Sequence, residues 1–137
     1  MERPRSAVRL VRAAALTDTA PYAYAATADA GARLVFAAGA CPLDDTGATV
    51  APGDIAAQAR RCVANLVTAL EAAGATLEDV AYTRVLVATT AREELVTAWD
   101  VVHDAFGEHE VPSTLHGVTV LGYPDQLVEI EAVAAVR

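Results

Sequence analysis

The chain has 137 residues, one domain's length and enough to bury about two thirds of its unfolded surface without help from disulfides. Its net charge of −8 argues against a nucleic-acid-binding face, because affinity for phosphate comes from Lys and Arg clusters that release counterions. No run approaches the ~18 apolar residues of a membrane span, and the alanine-rich apolar excess predicts that some apolar surface is buried between subunits.

Arg3, Arg5, Arg9 and Arg12 are spaced out and read as a solvated edge rather than a basic arm. With no hydrophobic block in front of them, the expected location is the cytoplasm. Residues 7–13 alternate weakly and predict a first strand; Tyr22 to Thr27 predicts a second, and Arg33 to Ala38 a short buried third that ends at Gly39. From Asp54 to Ala73 the apolar spacing changes to three and four through Ile55, Ala59, Cys62, Val63, Leu66 and Leu70, predicting a helix capped by Asp54 and stopped by Gly74. Val80 to Thr89 returns to strand character. Thr90 and Glu93 have capping-box spacing ahead of a second helix, Arg92 to Phe106, with Leu95, Trp99, Val102 and Phe106 on one stripe.

The last stretch, Val111 to Val136, holds two strand-like runs around a Gly-Tyr-Pro-Asp turn. In the second run Val128, Ile130, Ala132 and Ala134 alternate with Glu129 and Glu131, so both carboxylates share one face. In the first, Thr114, His116 and Val118 share a face. Paired as a hairpin, these runs would bring a hydroxyl, an imidazole and two carboxylates together. The order β-β-β-α-β-α-β-β predicts an α+β domain spanning residues 1–137, two helices on one face of a mostly antiparallel sheet. The other face, half apolar, is expected to be a subunit contact.

Cys41 and Cys62 form no CxxC or Cys/His pattern, so neither a metal nor a cofactor is expected. Cys62 reads as a core residue; Cys41, at a strand exit, reads either as a buried inert thiol or as the border of a pocket. His103 and His109 read as surface residues.

Read in order, the chain resembles the Rid (YjgF-like) family of reactive-intermediate deaminases. The resemblance is carried by Ala20-Pro21-Tyr22, Ala38-Gly39-Ala40-Cys41-Pro42-Leu43, the helical Gln58, Asn65 and Leu66, Ala72-Ala73-Gly74, and the closing Val128 to Ala134. It implies a chorismate-mutase-like fold assembled as a homotrimer, with the sheets forming a central barrel and a small-molecule pocket at each subunit interface. It also implies hydrolysis of 2-imino or 2-enamino acids, their carboxylate held by an arginine in a Pro-x-Arg motif. Here that motif reads Pro112-Ser113-Thr114, and a neutral hydroxyl stands where a bidentate guanidinium is expected. The family has also been labelled with endoribonuclease activity, which the acidic charge balance supports least.

The candidate catalytic residues are Glu129, to position water, and His116, to exchange a proton. The candidate substrate-binding residues are Tyr22, Gly39, Thr114, Cys41 and Trp99. Plainer structural readings stand beside these: His116 as filler in a subunit seam, Trp99 and Tyr22 as packing, and Glu131 as a solvated residue or an intersubunit salt-bridge partner. Glu129 is harder to explain that way, since a buried carboxylate is costly unless paired. Two functions follow: an enzyme hydrolysing or tautomerising a small imine or enamine other than the usual 2-imino acid, or a non-catalytic metabolite-binding member of the family.

Overall fold

The computed structural model describes residues 6–137; Arg3 and Arg5 lie outside them. Its strands are β1 (Val8–Val11), β2 (Ala25–Ala28), β3 (Arg33–Ala40), β4 (Val80–Ala88), β5 (Ser113–Val118) and β6 (Val128–Val136), and its helices are α1 (Ile55–Ala72) and α2 (Arg92–Phe106). β1 and β2 form an antiparallel ladder of their own, while the main sheet runs β3-β6-β4-β5. The chain has an α+β, chorismate-mutase-like fold.

The helical period is fulfilled in α1: Ile55, Gln58, Ala59, Cys62, Leu66 and Leu70 are buried on one stripe. Asp54 caps the helix by accepting from the Ala57 N–H at 3.0 Å. Gly74 takes the left-handed conformation (φ 82°) that ends it. Truncating Leu66, fully buried, to alanine would cost about 2–5 kcal/mol. In α2 the expected Thr90–Glu93 capping box does not form. Ala91 occupies the cap without a side-chain bond; Thr89 Oγ1 instead accepts from the Ala91 N–H (3.0 Å) and donates to Glu94 (2.7 Å).

The closing runs do not form a hairpin. β5 pairs in parallel with β4, and β6 inserts antiparallel between β3 and β4. A parallel pair needs a long crossover, which α2 supplies. One face of the sheet carries Val85, Val87, Val128, Ile130, Ala132 and Ala134 into a core closed by both helices. The alternation then sends Glu129, Glu131, Arg84, Leu86, Thr114 and His116 to the opposite, open face.

Two rows cross that face. Thr114, Arg84 and Glu131 are register partners, as are His116, Leu86 and Glu129. Phe36 (73% exposed) and Leu34 (52%) extend the apolar part of the open face on β3.

Candidate functional site at Glu129

The register of β3 against β6 jumps between Ala37, opposite Ala132, and Ala40, opposite Ile130. That extra β3 residue is a bulge, and it brings Gly39 under the side chain of Glu129. A β-carbon built on Gly39 would lie 2.6 Å from Glu129 Oε2 and 2.7 Å from its carboxyl carbon, so only glycine leaves the carboxylate this position.

The other carboxylate oxygen is held. Cys41 Sγ donates to Glu129 Oε1 at 3.2 Å, and Gln126 Nε2 donates to the same oxygen at 3.3 Å. Burial is the main reason the Cys41 thiol is pushed up to about 11; the bond to the Glu129 carboxylate and its negative charge act in the same direction. Cys41 is therefore a neutral donor at physiological pH, not a thiolate nucleophile. Cys62 is fully buried in the core, as expected, and burial raises its thiol further.

The remaining candidates fall elsewhere. Tyr22, Trp99 and Thr114 line one cavity of ≈ 480 Å³ with Pro21, Val96, Ser113 and Leu115, beside the free edge of β5. Tyr22 meets Trp99 edge to face, with centroids 6.3 Å apart. The Thr114 and Tyr82 hydroxyls share a hydrogen bond of 2.8 Å. His116 faces the same side as Glu129 but is separated from it by the whole of β4, about 10 Å from strand axis to strand axis. The expected direct His–Glu pair does not form within one chain.

The candidate residues thus fall into two groups near different edges of the sheet. Gly39, Cys41 and Glu129 lie towards the β3 edge, and Thr114, His116, Tyr22 and Trp99 towards the β5 edge. Glu131 pairs with Arg84 of the same chain at 3.4 Å, rather than standing in solvent or bridging to another subunit. His103 and His109 are half-buried rather than surface residues. His103 stacks on Trp99 and contacts Glu110 at 3.2 Å; His109 packs on Phe106 and donates from Nε2 to the Val80 carbonyl at 2.8 Å. Among the described residues, no group of three or more His, Cys, Asp or Glu side chains is arranged to hold a metal ion. No helix there is long and apolar enough to cross a membrane.

Sequence reasoning overlooked Gln126, which lies in what reads as a turn. Its signal was a lone amide directly before an apolar strand. Gln58 and Asn65, noted only for the resemblance, anchor the loops on either side of Glu129. Gln58 Nε2 donates to the carbonyls of Ala51 (3.3 Å) and Asp125 (2.9 Å), and its Oε1 accepts from the Leu127 N–H (2.8 Å). Asn65 Nδ2 donates to the carbonyls of Cys41 (2.8 Å) and Leu43 (2.9 Å).

A family profile described as Endoribonuclease L-PSP matches residues 12–136. The chain is a member of the Rid family. Among curated Rid relatives, the 3-aminoacrylate deaminase RutC of Acinetobacter baylyi is 32% identical over 117 residues, covering 85% of this chain and 88% of the relative. A RutC family protein of Pyrococcus abyssi is 34% identical over 103 residues, 74% of this chain and 78% of that protein. Among solved Rid structures, the protein YyfB of Yersinia pestis, of unknown function, superimposes with a TM-score of 0.87 at 27% identity, covering 95% of this chain and 99% of the other. E. coli TdcF with bound serine gives a TM-score of 0.64 at 29% identity, with 94% of each chain covered.

Proposed function

We propose that this Rid protein hydrolyses a small imine or enamine, with Glu129 activating the attacking water. The observation that carries the reading is the Glu129 carboxylate lying over Gly39, with Oε1 held by Cys41 and Gln126 and Oε2 in the space that a β-carbon on residue 39 would fill. A carboxylate so placed can take one proton from water as the water oxygen bonds to the iminium carbon and the C=N π pair moves to nitrogen. Returned to that nitrogen, the proton makes the amine a leaving group; the C–N bond then breaks and the carbinol proton leaves with the ammonia. Iminium plus water becomes carbonyl plus ammonium, with no redox change.

The reading places the complete site between copies of the chain. The Glu129 group and the Thr114 group lie towards opposite edges of one sheet, so the β5 edge of one copy beside the β3 edge of the next would join them. His116 would then meet the neighbouring copy's Glu129 rather than its own. A homotrimer with pockets at its interfaces fits this division and the exposed Phe36 and Leu34 on the open face. The RutC relative is named for deaminating 3-aminoacrylate, which supports the reaction class. With Thr114 in the place of the expected arginine, the substrate is an imine without a carboxylate, or one whose carboxylate binds elsewhere. Nuclease action fits poorly with a chain of net charge −8.

The test is to generate imines in situ from a panel of amines and amino acids with the matching oxidases and follow their decay with and without the protein. Acceleration that is lost in Glu129→Gln supports the reading. No acceleration across the panel, with tight binding of a metabolite, would instead favour a non-catalytic binding protein. A monomeric mass at micromolar concentration would remove the intersubunit site.

A further inference from the structure

We propose that Gln126 and Cys41 are positioning residues that clamp Oε1 of Glu129 and so make Oε2 the oxygen that meets water. The proposal rests on the reading of Glu129 as the acting carboxylate, and it explains why that group acts through a defined atom.

Gln126 is 4% exposed, and its orientation is fixed by three contacts. Nε2 donates to the Val128 carbonyl (3.1 Å) and to Glu129 Oε1 (3.3 Å), while Oε1 of the amide accepts from the Tyr123 N–H (3.1 Å). A flipped amide would set oxygen against a carbonyl and a carboxylate, and NH₂ against an N–H, so all three contacts would turn repulsive. Cys41 has a single S–H proton and two acceptors in reach, the Glu129 carboxylate at 3.2 Å and the Gly39 carbonyl at 3.4 Å. The nearer and charged acceptor wins.

The clamp is itself held from α1. Gln58 and Asn65 are seven residues apart, two helical turns, and so project from one face. Gln58 fixes the loop carrying Gln126 through Asp125 and Leu127, and Asn65 fixes Cys41 through its carbonyl. Two donors on one oxygen draw negative charge to it and fix the carboxylate plane. The other oxygen then lies over Gly39, 2.6 Å from where a β-carbon would stand. A freely rotating carboxylate would offer either oxygen, in many orientations, at an entropic cost in the transition state.

The experiment has two arms on the full-length protein. In the first, alkylation of Cys41 by iodoacetamide is followed against pH in wild type, Glu129→Gln and Gln126→Leu, with Cys41→Ser as the blank that shows the buried Cys62 stays silent. Burial raises the wild-type thiol and the bond to Glu129 adds to that, so the clamp requires the titration to move down in Glu129→Gln; an unchanged profile in Glu129→Gln overturns it. In the second, the most rapidly hydrolysed imine of the panel is assayed with Cys41→Ala, Cys41→Ser and Gln126→Leu. Expected are a fall in kcat of about tenfold or more with little change in KM for Cys41→Ala and Gln126→Leu, and recovery in Cys41→Ser, which keeps a donor. Wild-type kcat in both Cys41→Ala and Gln126→Leu overturns the proposal. If no imine is hydrolysed, the proposed reaction fails, and the thiol titration still decides whether the clamp exists.

Discussion

Glu129 lies across Gly39 so closely that a β-carbon on residue 39 would stand 2.6 Å from its Oε2 and 3.0 Å from its Cγ. Gly39→Ala therefore has to displace the carboxylate. Most of the obstruction is the end of a flexible side chain, so the cost to folding stays near the low end of the ~1–3 kcal/mol typical of overpacking. The loss of activity is expected to be much larger, at least tenfold in kcat, because Oε2 and the held Oε1 move together. Thermal denaturation beside the imine assay separates the two effects. A Gly39→Ala protein with wild-type turnover would mean that the placement of Glu129 over this glycine has no catalytic use.

Among the described residues, the non-glycine residues in left-handed conformation are Ala51 (φ 45°) and Asp125 (φ 61°), and Gln58 reaches both by donating to each carbonyl. Such conformations cost about 1–3 kcal/mol and persist where surrounding bonds fix them. Gln58→Leu keeps the apolar stripe of α1 but strands two carbonyls and the Leu127 N–H. A loss of about 3 kcal/mol is expected in urea unfolding at fixed protein concentration. A loss below about 1 kcal/mol would show that these loops hold their shape without the amide.

The Cys41 thiol is held up to about 11 from an ordinary 9.0, chiefly by burial. The folded state therefore binds a proton that the unfolded chain has begun to release. Its contribution to stability is fully present below pH 9 and is lost as pH rises through 11, so stability falls with pH in that window. Cys41→Ser removes this titration and leaves Cys62 untouched. The wild type should lose stability more steeply than Cys41→Ser between pH 9 and 11, measured as the difference between their urea midpoints. Parallel curves would contradict the raised thiol.

The fold was legible where period decides structure. The three-and-four spacing of Cys62, Leu66 and Leu70 marked α1, and the alternation from Val128 to Ala134 placed both carboxylates on one face, since burial follows directly from those repeats. Strand adjacency was not legible. Nothing local in Val111–Val136 reveals that β5 passes to the far side of β4, because pairing order is set by long-range packing rather than by the turn between two runs. For the same reason the sequence grouped Thr114 and His116 with Glu129, and the sheet separates them. Gln126 escaped notice because a polar residue beside Pro124 and Asp125 reads as loop; its burial depends on Gln58 from a distant helix.

Thr114 offers the most direct test of substrate choice. Its hydroxyl is tied to Tyr82 at 2.8 Å, and Arg84 stands in register beside it, pairing with Glu131 at 3.4 Å. Thr114→Arg would put a second guanidinium next to Arg84. Like charges on neighbouring strands cost up to about 1 kcal/mol at such an exposed site, and Glu131 offsets part of that. In exchange the pocket gains a planar donor pair that matches a carboxylate, worth far more to a ligand than one neutral hydroxyl. The expected result is a rise of at least tenfold in kcat/KM for 2-imino acids, with little gain for imines that lack a carboxylate, and only a small drop in Tm. Equal change for both substrate classes would show that residue 114 does not face the substrate carboxylate. A gain confined to 2-imino acids would identify Thr114 as the residue that turns this chain away from them.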